Sequence, residues 1–121
     1  MMRDRLAEVG FSEVRADTIV ATVSGDIDGS NAAELRRAVA ERVPSTARSL
    51  IMDLSQTTYI DSTGVELLFE LARRLSARRQ LFTVVVPKGT GIRKVLELCD
   101  IGSVAVLVES QSDGLDAADA A

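Results

Sequence analysis

The chain has 121 residues, of which 46% are hydrophobic and 26% charged, a composition typical of one ordinary globular domain. Because it contains no histidine, imidazole-based catalytic triads and imidazole metal ligands are excluded, and we expect no enzyme activity, metal or cofactor. No apolar run approaches the roughly 20 residues of a transmembrane helix, and no signal peptide is evident. With a single cysteine, Cys99, these features predict a cytoplasmic protein that does not insert into membranes.

The net charge of −4 comes from the C-terminal end of the chain. That end carries four acidic residues and no basic one: Glu109, Asp113, Asp116 and Asp119. The other 14 of the 18 acidic residues balance the 14 basic ones, and aromatic residues make up only 3%. A near-neutral body with few stacking side chains predicts no direct nucleic-acid binding. We therefore expect one domain over residues 1–110 and a flexible acidic tail over 111–121.

The first half of the chain predicts a hairpin, a helix and a buried strand. Two short strands are expected on either side of residue 16, the second rich in β-branched residues. GDIDGS, at 25–30, has turn composition, and Ser30 or Asn31 can cap the helix that follows. SLIMDL is almost continuously apolar, which is typical of a central strand buried on both faces.

The second half alternates helices and strands. After a predicted loop, SQTTYID, a helix carries a wide apolar stripe from Val65 to Leu75. LFTVVV predicts a strand, GIRKVLELC a short amphipathic helix and SVAVLV a last strand. The order β-β-α-β-α-β-α-β predicts a single α/β domain with a mixed, mostly parallel sheet. An antiparallel N-terminal hairpin forms its edge, and helices pack on it.

The GDIDGS segment has one catalytic interpretation. Asp26 and Asp28, directly after a strand, resemble the nucleophile loop of haloacid-dehalogenase-type phosphatases. Such an enzyme also needs Mg²⁺ held by further carboxylates, and the later strand ends offer only Asp53 and Asp61, with no paired acidic motif. A calcium loop fits no better, because glycine and glutamate are absent from its sixth and twelfth positions. A turn that leads into a helix is the favoured interpretation.

Two other motifs are interpreted as structural. PKGTGIRK has a Gly-x-Gly at a strand-to-helix turn but lacks the third glycine of a dinucleotide fingerprint, so it predicts a tight turn. Cys99 is followed by Asp100, whose charge would raise the thiol pKa, so we expect an inert, buried or half-buried cysteine.

The segment Asp61-Ser62-Thr63-Gly64 stands at the start of the second predicted helix. Its first three residues are all good N-caps, and Thr63 with Glu66 would form a capping box. One helix does not need three capping residues. A serine at a helix N-terminus is also a place where a phosphate group would be stabilised by the free amides and the helix dipole.

Three segments resemble, in order, the characteristic segments of a STAS domain, and most closely those of a bacterial anti-anti-sigma factor, or anti-sigma factor antagonist. They are GDIDGSNAAELRRAV, SLIMDLSQTTYIDSTGVELL and LFTVVVPKGTGIRKVLELCDI, within residues 10–110. The resemblance implies that the unmodified protein binds an anti-sigma factor that is also a serine kinase, so that the sigma factor is released. The kinase then phosphorylates the family serine, which falls on Ser62, and a metal-dependent serine phosphatase removes the phosphate.

The resemblance also implies a partner-binding surface. Its expected members are Asp26, Asp28, Asp61, Ser62, Thr63, Gly64 and Glu66. In the family, the aspartate that matches Asp28 lies close to the phosphorylated serine. The family commonly continues the motif with Leu-Gly, whereas Val65 and Glu66 stand here. The Glu66 carboxylate would either set partner choice or weaken recognition by the kinase.

A second function remains open for a STAS domain. It could be a non-catalytic scaffold or accessory subunit of a stressosome-like assembly or a membrane transporter complex, in which Ser62 is only part of a helix cap. The intact Ser62-Thr63 pair favours the antagonist, because a scaffold needs no hydroxyl pair at this position.

Overall fold

The computed structural model describes residues 8–15 and 17–120. The strands are β1 (Glu8–Val14), β2 (Thr18–Ile27), β3 (Ser49–Asp53), β4 (Thr57–Ile60), β5 (Leu81–Val85) and β6 (Val106–Val108). The helices are α1 (Ala32–Arg42), α2 (Ser62–Ala77), α3 (Gly91–Leu98) and α4 (Gln111–Ala120), and a 3-10 turn covers Ile101–Ser103.

The strands form one sheet in the order β1-β2-β3-β5-β6, and β4 pairs with β2 outside this path. The β1–β2 pair is antiparallel and the other pairs are parallel. The predicted mixed, mostly parallel sheet with an antiparallel N-terminal hairpin is confirmed. The parallel strands bring their carboxyl ends to one edge, and the loops that follow β2 and β4 meet there.

Both faces of the sheet are covered. Every residue of β3 is buried, as its apolar sequence predicted, because its side chains alternate between two packed faces. Leu50 and Met52 belong to the main core with buried residues of α1, α2 and α3. Ile51 belongs to a smaller cluster on the other face, where Leu115 of α4 packs.

Strand β4 was not predicted. Its sequence, TTYI, lies inside the segment that we expected to be a loop. The same pairing changes the GDIDGS segment, because Gly25, Asp26 and Ile27 continue β2 and pair with β4, and do not turn. The register shifts between Gly25 and Asp26, where Gly25 has a φ of 91°. An L side chain rarely adopts this conformation, so glycine permits the bulge that aligns β2 with β4.

The acidic C-terminal segment forms helix α4, which differs from the flexible tail that we expected. The Ser110 hydroxyl caps it by accepting a hydrogen bond from the Asp113 amide at 3.1 Å. Gly114 is buried against the sheet, where a Cβ would lie 3.3 Å from Ile51 Cγ2. The composition of the segment gave no sign of this contact with Ile51, because Gly114, which makes it, has no side chain.

The predicted burial of Cys99 was wrong, whereas its expected lack of reactivity stays a prediction. Cys99 is exposed at the C-terminal end of α3, beside Leu98, whose side chain is 78% exposed. Helix α3 is short and buries only Leu96 completely, and the three residues that follow Leu96 are exposed.

Candidate functional site

Two chain segments that are distant in sequence lie side by side at the carboxyl ends of β2 and β4. The Asp61 amide donates to the Ile27 carbonyl oxygen at 3.2 Å, which continues the pairing of the two strands by one bond. Beyond it, a Cβ on Gly29 would lie 3.7 Å from Thr63 Oγ1. The loop after β2 therefore lies against the first turn of α2, which carries Ser62.

Asp61 is the N-cap of α2. Its backbone is extended, with φ −103° and ψ −173°, and its Oδ1 accepts a hydrogen bond from the Gly64 amide at 3.0 Å. The predicted capping box of Thr63 and Glu66 was wrong, because Thr63 already lies inside the helix. The bond from Asp61 to β2 holds this residue extended, so the helix begins at the next one. Asp61 alone does the capping, and Ser62 and Thr63 are not needed for it.

The Ser62 and Thr63 hydroxyls are left exposed by this arrangement. The structure records no hydrogen bond from either hydroxyl to any residue that it describes. By helix geometry, the amides of the first turn also have no intrahelical acceptor. Ser62 thus places a free hydroxyl at the positive end of the helix dipole.

Replacing Asp61 with alanine tests the cap. We expect the free energy of unfolding to fall by about 1 kcal/mol in urea titrations, because the Gly64 amide loses its acceptor. Asp61→Asn is the matched control, since an asparagine side chain can still accept this bond and should retain most of the stability. An Asp61→Ala protein as stable as the wild type would contradict the assignment of Asp61 as the cap.

At Gly64, helix α2 is in close contact with the ends of β2 and β4. A Cβ at this position would lie 2.6 Å from Ile60 Cγ1 and 2.9 Å from the Ile27 carbonyl oxygen. Any residue other than glycine would therefore push the helix away from both strands. This contact sets the position of the first turn of α2, and so of Ser62, relative to the loop that follows β2.

Asn31 organises that loop from a buried position, with 3% of its surface exposed. Its Nδ2 donates to the Asp26 carbonyl oxygen at 2.7 Å, and its Oδ1 accepts from the Asp28 amide at 3.0 Å. The sequence predicted that Ser30 or Asn31 would cap α1. Asn31 does hold the N-cap position, but its side chain bonds the preceding loop and makes no cap bond to the helix.

The aspartates of GDIDGS have different environments. Asp26 Oδ1 accepts from the Thr58 hydroxyl of β4 at 2.7 Å. Asp28 Oδ1 accepts from both the amide and the hydroxyl of Ser30, at 2.9 and 2.5 Å. The Ser30 hydroxyl, followed by its amide, stabilises the ionised form and lowers the pKa of Asp28 below its ordinary value. Asp28 therefore carries its negative charge throughout the neutral range.

Removing the Ser30 hydroxyl should raise the Asp28 pKa. In an NMR titration of the Asp28 carboxyl carbon, Ser30→Ala should titrate at higher pH than wild type, and Ser30→Thr should stay close to it. The pKa of Asp28 is lower in the folded protein than in the unfolded chain. The stability that the ionised Asp28 contributes is therefore fully present above the ordinary carboxyl pKa, and it is lost as the pH falls through the folded pKa. Any stability difference between Ser30→Ala and wild type should therefore disappear in acid. Identical titration curves would contradict this account.

The surroundings of Ser62 are acidic. Asp28, Asp61 and Glu66 form no ion pair with any residue in the described part of the chain. Glu66 is exposed on α2, one turn after Ser62. Negative groups therefore lie on both sides of the hydroxyl along the chain.

Four residues at this site were not predicted: Thr58, Asn31, Gly29 and Tyr59. Tyr59 pairs in register with Asp26 and is 50% exposed, so it places an aromatic side chain beside the site. The run TTYI, with two threonines and a tyrosine, was the available signal, since such residues favour strands. Nothing in the sequence indicated that the Asn31 side chain would bond to the loop before it and not to helix α1 after it.

The phosphatase interpretation gains nothing from the geometry. Asp53 does not join the aspartates of GDIDGS, because it is buried at the end of β3, where it accepts from the Ser55 amide and Gln111 Nε2. Within residues 8–15 and 17–120 no group of three or more carboxylates and thiolates is arranged to hold a metal ion. Over the same residues, no helix has the length and apolar character needed to cross a bilayer.

A family profile described as STAS domain matches residues 12–111. The chain belongs to the STAS domain family. The matched range includes every residue of the site around Ser62, from Asp26 to Glu66. It ends at the first residue of α4, so that helix lies almost entirely beyond the match. No curated protein sequence matches this STAS domain.

Solved structures share the fold of this STAS domain. An anti-sigma factor antagonist from Mycobacterium paratuberculosis is 24% identical, with a TM-score of 0.86 over 98% of this chain and 99% of that chain. The Bacillus cell fate determinant SpoIIAA in its phosphorylated form is 18% identical, with a TM-score of 0.66 over 90% and 97% of the two chains. The murine anion transporter Slc26a9 is 15% identical, with a TM-score of 0.75, and the match covers 97% of this chain and 22% of the transporter.

Proposed function

We propose that this STAS domain is a cytoplasmic anti-sigma factor antagonist that is switched off by phosphorylation of Ser62. The unmodified protein binds an anti-sigma factor serine kinase, and the sigma factor is released. The kinase phosphorylates Ser62 and a serine phosphatase restores it. The observation that carries the proposal is the Ser62 hydroxyl at the start of α2. It is exposed and makes no hydrogen bond to any described residue, while Asp61 does the capping.

The protein would act as a substrate and not as an enzyme. A serine hydroxyl is a poor nucleophile at its ordinary pKa, and this chain has no histidine to take its proton. The kinase would supply the base and the nucleotide. An exposed hydroxyl on the first helical residue suits this role, because a kinase can reach it without unfolding α2.

The phosphorylated form would keep the fold. A phosphoserine carries a charge of about −1.5 to −2 at neutral pH. At the first position of α2, the free amides and the helix dipole stabilise such a charge by about 0.3–1 kcal/mol. The helix terminus therefore favours a charge at Ser62, whereas the carboxylates of Asp61 and Glu66 oppose it.

The charge on phosphorylated Ser62 would lower the affinity of the protein for its partner. We infer that it contacts the surface formed by Asp26, Asp28, Asp61, Ser62, Thr63, Gly64 and Glu66. In the complex, the phosphate would have to be desolvated at a place that had accepted a neutral hydroxyl. A tenfold loss of affinity requires only about 1.4 kcal/mol, so the switch needs no change of backbone conformation.

The proposal is tested with ATP and the anti-sigma factor kinases encoded in the same genome. We expect one kinase to bind the protein and to add one phosphate, which mass spectrometry places on Ser62. Ser62→Ala should block the reaction, whereas Thr63→Ala, which removes the neighbouring exposed hydroxyl, should not. A phosphate on another residue, or no binding to any kinase, would contradict the proposal.

A scaffold or accessory subunit is the second candidate. It is supported by the similarity of this fold to part of the anion transporter Slc26a9. In that role Ser62 would contribute nothing beyond the first turn of α2, and Ser62→Asp would leave every partner interaction unchanged. Tight kinase binding without phosphorylation would instead indicate a permanently active antagonist, with Glu66 as the residue that blocks recognition.

A further inference from the structure

Helix α4 covers the face of the sheet opposite to α1, α2 and α3. The buried apolar part of this face consists of Val20, Ile51 and Val85, and the partly buried Val14 and Val108 pack against it. Helix α4 brings one large apolar side chain to it, Leu115, which is only partly buried. Gly114 adds a close backbone contact, where no side chain separates the helix from Ile51.

Two buried hydroxyl groups lie beneath the helix. Ser49 of β3 and Thr83 of β5 have 3% and 0% of their surfaces exposed, and neither hydroxyl has a hydrogen-bond partner among the residues that the structure describes. Thr83 lies directly under α4, because a Cβ on Gly114 would be 3.6 Å from Thr83 Cγ2. A cavity of about 310 Å³ beside Ser49 is lined by Ala118 and Asp119 of α4. Leaving a buried hydroxyl unbonded carries a free-energy cost that water would remove.

Helix α4 is also weak in itself. Gly114 has a low helix propensity, and Asp116 and Asp119 lie toward the negative end of the helix dipole, with no basic residue in the last turn. Two polar contacts hold its ends. Gln111 Nε2 donates to the Asp53 carboxylate at 2.7 Å, and Asp119 forms an exposed ion pair with Arg15.

We propose that α4 is a reversible cover, which opens as a unit while the sheet and the other three helices stay folded. Opening hydrates the Ser49 and Thr83 hydroxyls and the Asp53 carboxylate, which offsets the exposure of the apolar side chains beneath α4. The main core on the opposite face is not disturbed, because its cluster includes no residue of α4. The face beneath α4 is thus accessible to solvent for part of the time. This inference does not depend on the switch at Ser62.

Hydrogen exchange of the full chain tests the opening. The amides of residues 114–120 should exchange at least about a hundredfold faster than those of β3. Their exchange should rise with urea concentration less steeply than that of β3, because opening of α4 exposes less surface than global unfolding. Equal protection of α4 and β3, with the same dependence on urea, would overturn the proposal.

Two variants test whether α4 is a reversible cover or an integral part of the core. The leucine in Gly114→Leu cannot fit against Ile51, so α4 should lose its protection from exchange while β3 keeps its own. Loss of protection in both would overturn the proposal.

Thr83→Val removes an unbonded hydroxyl and keeps the shape of the side chain, so hydrogen exchange in α4 should slow by up to about tenfold. Thr22→Val, on the same face but half-buried, is the control and should change little. Unchanged or faster exchange in Thr83→Val would show that the buried hydroxyl does not favour opening.

Discussion

Replacing Gly64 with alanine is expected to lower the free energy of unfolding by about 1–3 kcal/mol, the range for overpacking a dense interior. The new methyl group would lie 2.6 Å from Ile60 Cγ1 and 2.9 Å from the Ile27 carbonyl oxygen. The side chain of Ile60 could move, but the carbonyl belongs to the backbone of β2 and could not. The higher helix propensity of alanine returns at most about 1 kcal/mol, so the clash decides the sign.

Gly91→Ala is the matched control. Gly91 also lies at the start of a helix, α3. Apart from its own helix backbone and its chain neighbours, no described residue has an atom within 4 Å of the position of its Cβ. This variant should be as stable as the wild type or slightly more stable in urea unfolding followed by circular dichroism. If Gly64→Ala were equally stable, the close approach of α2 to β2 would not be needed, and the account of how Ser62 is positioned would be wrong.

Ser62→Asp is expected to weaken binding to the anti-sigma factor kinase by at least about tenfold, while Ser62→Ala binds as tightly as the wild type. The aspartate places a single negative charge where the partner would contact a neutral hydroxyl, beside Asp61 and Glu66. A loss of this size corresponds to about 1.4 kcal/mol. Isothermal titration of each variant with the kinase measures it.

The control for this prediction is Ser76→Asp, an identical change near the other end of α2, where the side chain is also exposed. Its added charge should leave the affinity unchanged, since it lies more than three helical turns from Ser62. Equal weakening by both variants would mean that the partner responds to the overall charge of the protein and not to Ser62. Full affinity in Ser62→Asp would favour the scaffold.

Most of the order of helices and strands along the chain was predictable because the signals were local. SLIMDL and LFTVVV are long enough and apolar enough to be read as buried strands, and the helix that begins at Ser62 has a wide apolar stripe. Strand β4 was missed because only four residues form it and their strand character depends on pairing with the end of β2. That pairing requires a bulge at Gly25, which no local pattern reveals.

The site was predictable in its parts but not in its arrangement. Ser62 and the aspartates follow from the motif, whereas the choice of Asp61 as the cap depends on its bond to Ile27, a residue 34 positions earlier in the sequence. The side-chain bonds of Asn31 were missed for the same reason, since their partners belong to the preceding loop. Helix α4 was missed because Gly114 stabilises it by allowing close approach, an effect opposite to its low helix propensity.

The affinity of one kinase for the unmodified and the Ser62-phosphorylated protein tests the central claim most directly. The wild-type chain would be phosphorylated, titrated, treated with a serine phosphatase and titrated again. We predict that affinity falls by at least about tenfold on phosphorylation and returns to its first value afterwards. Equal affinity before and after phosphorylation would show that Ser62 is not the switch, and this STAS domain would then be better explained as a scaffold.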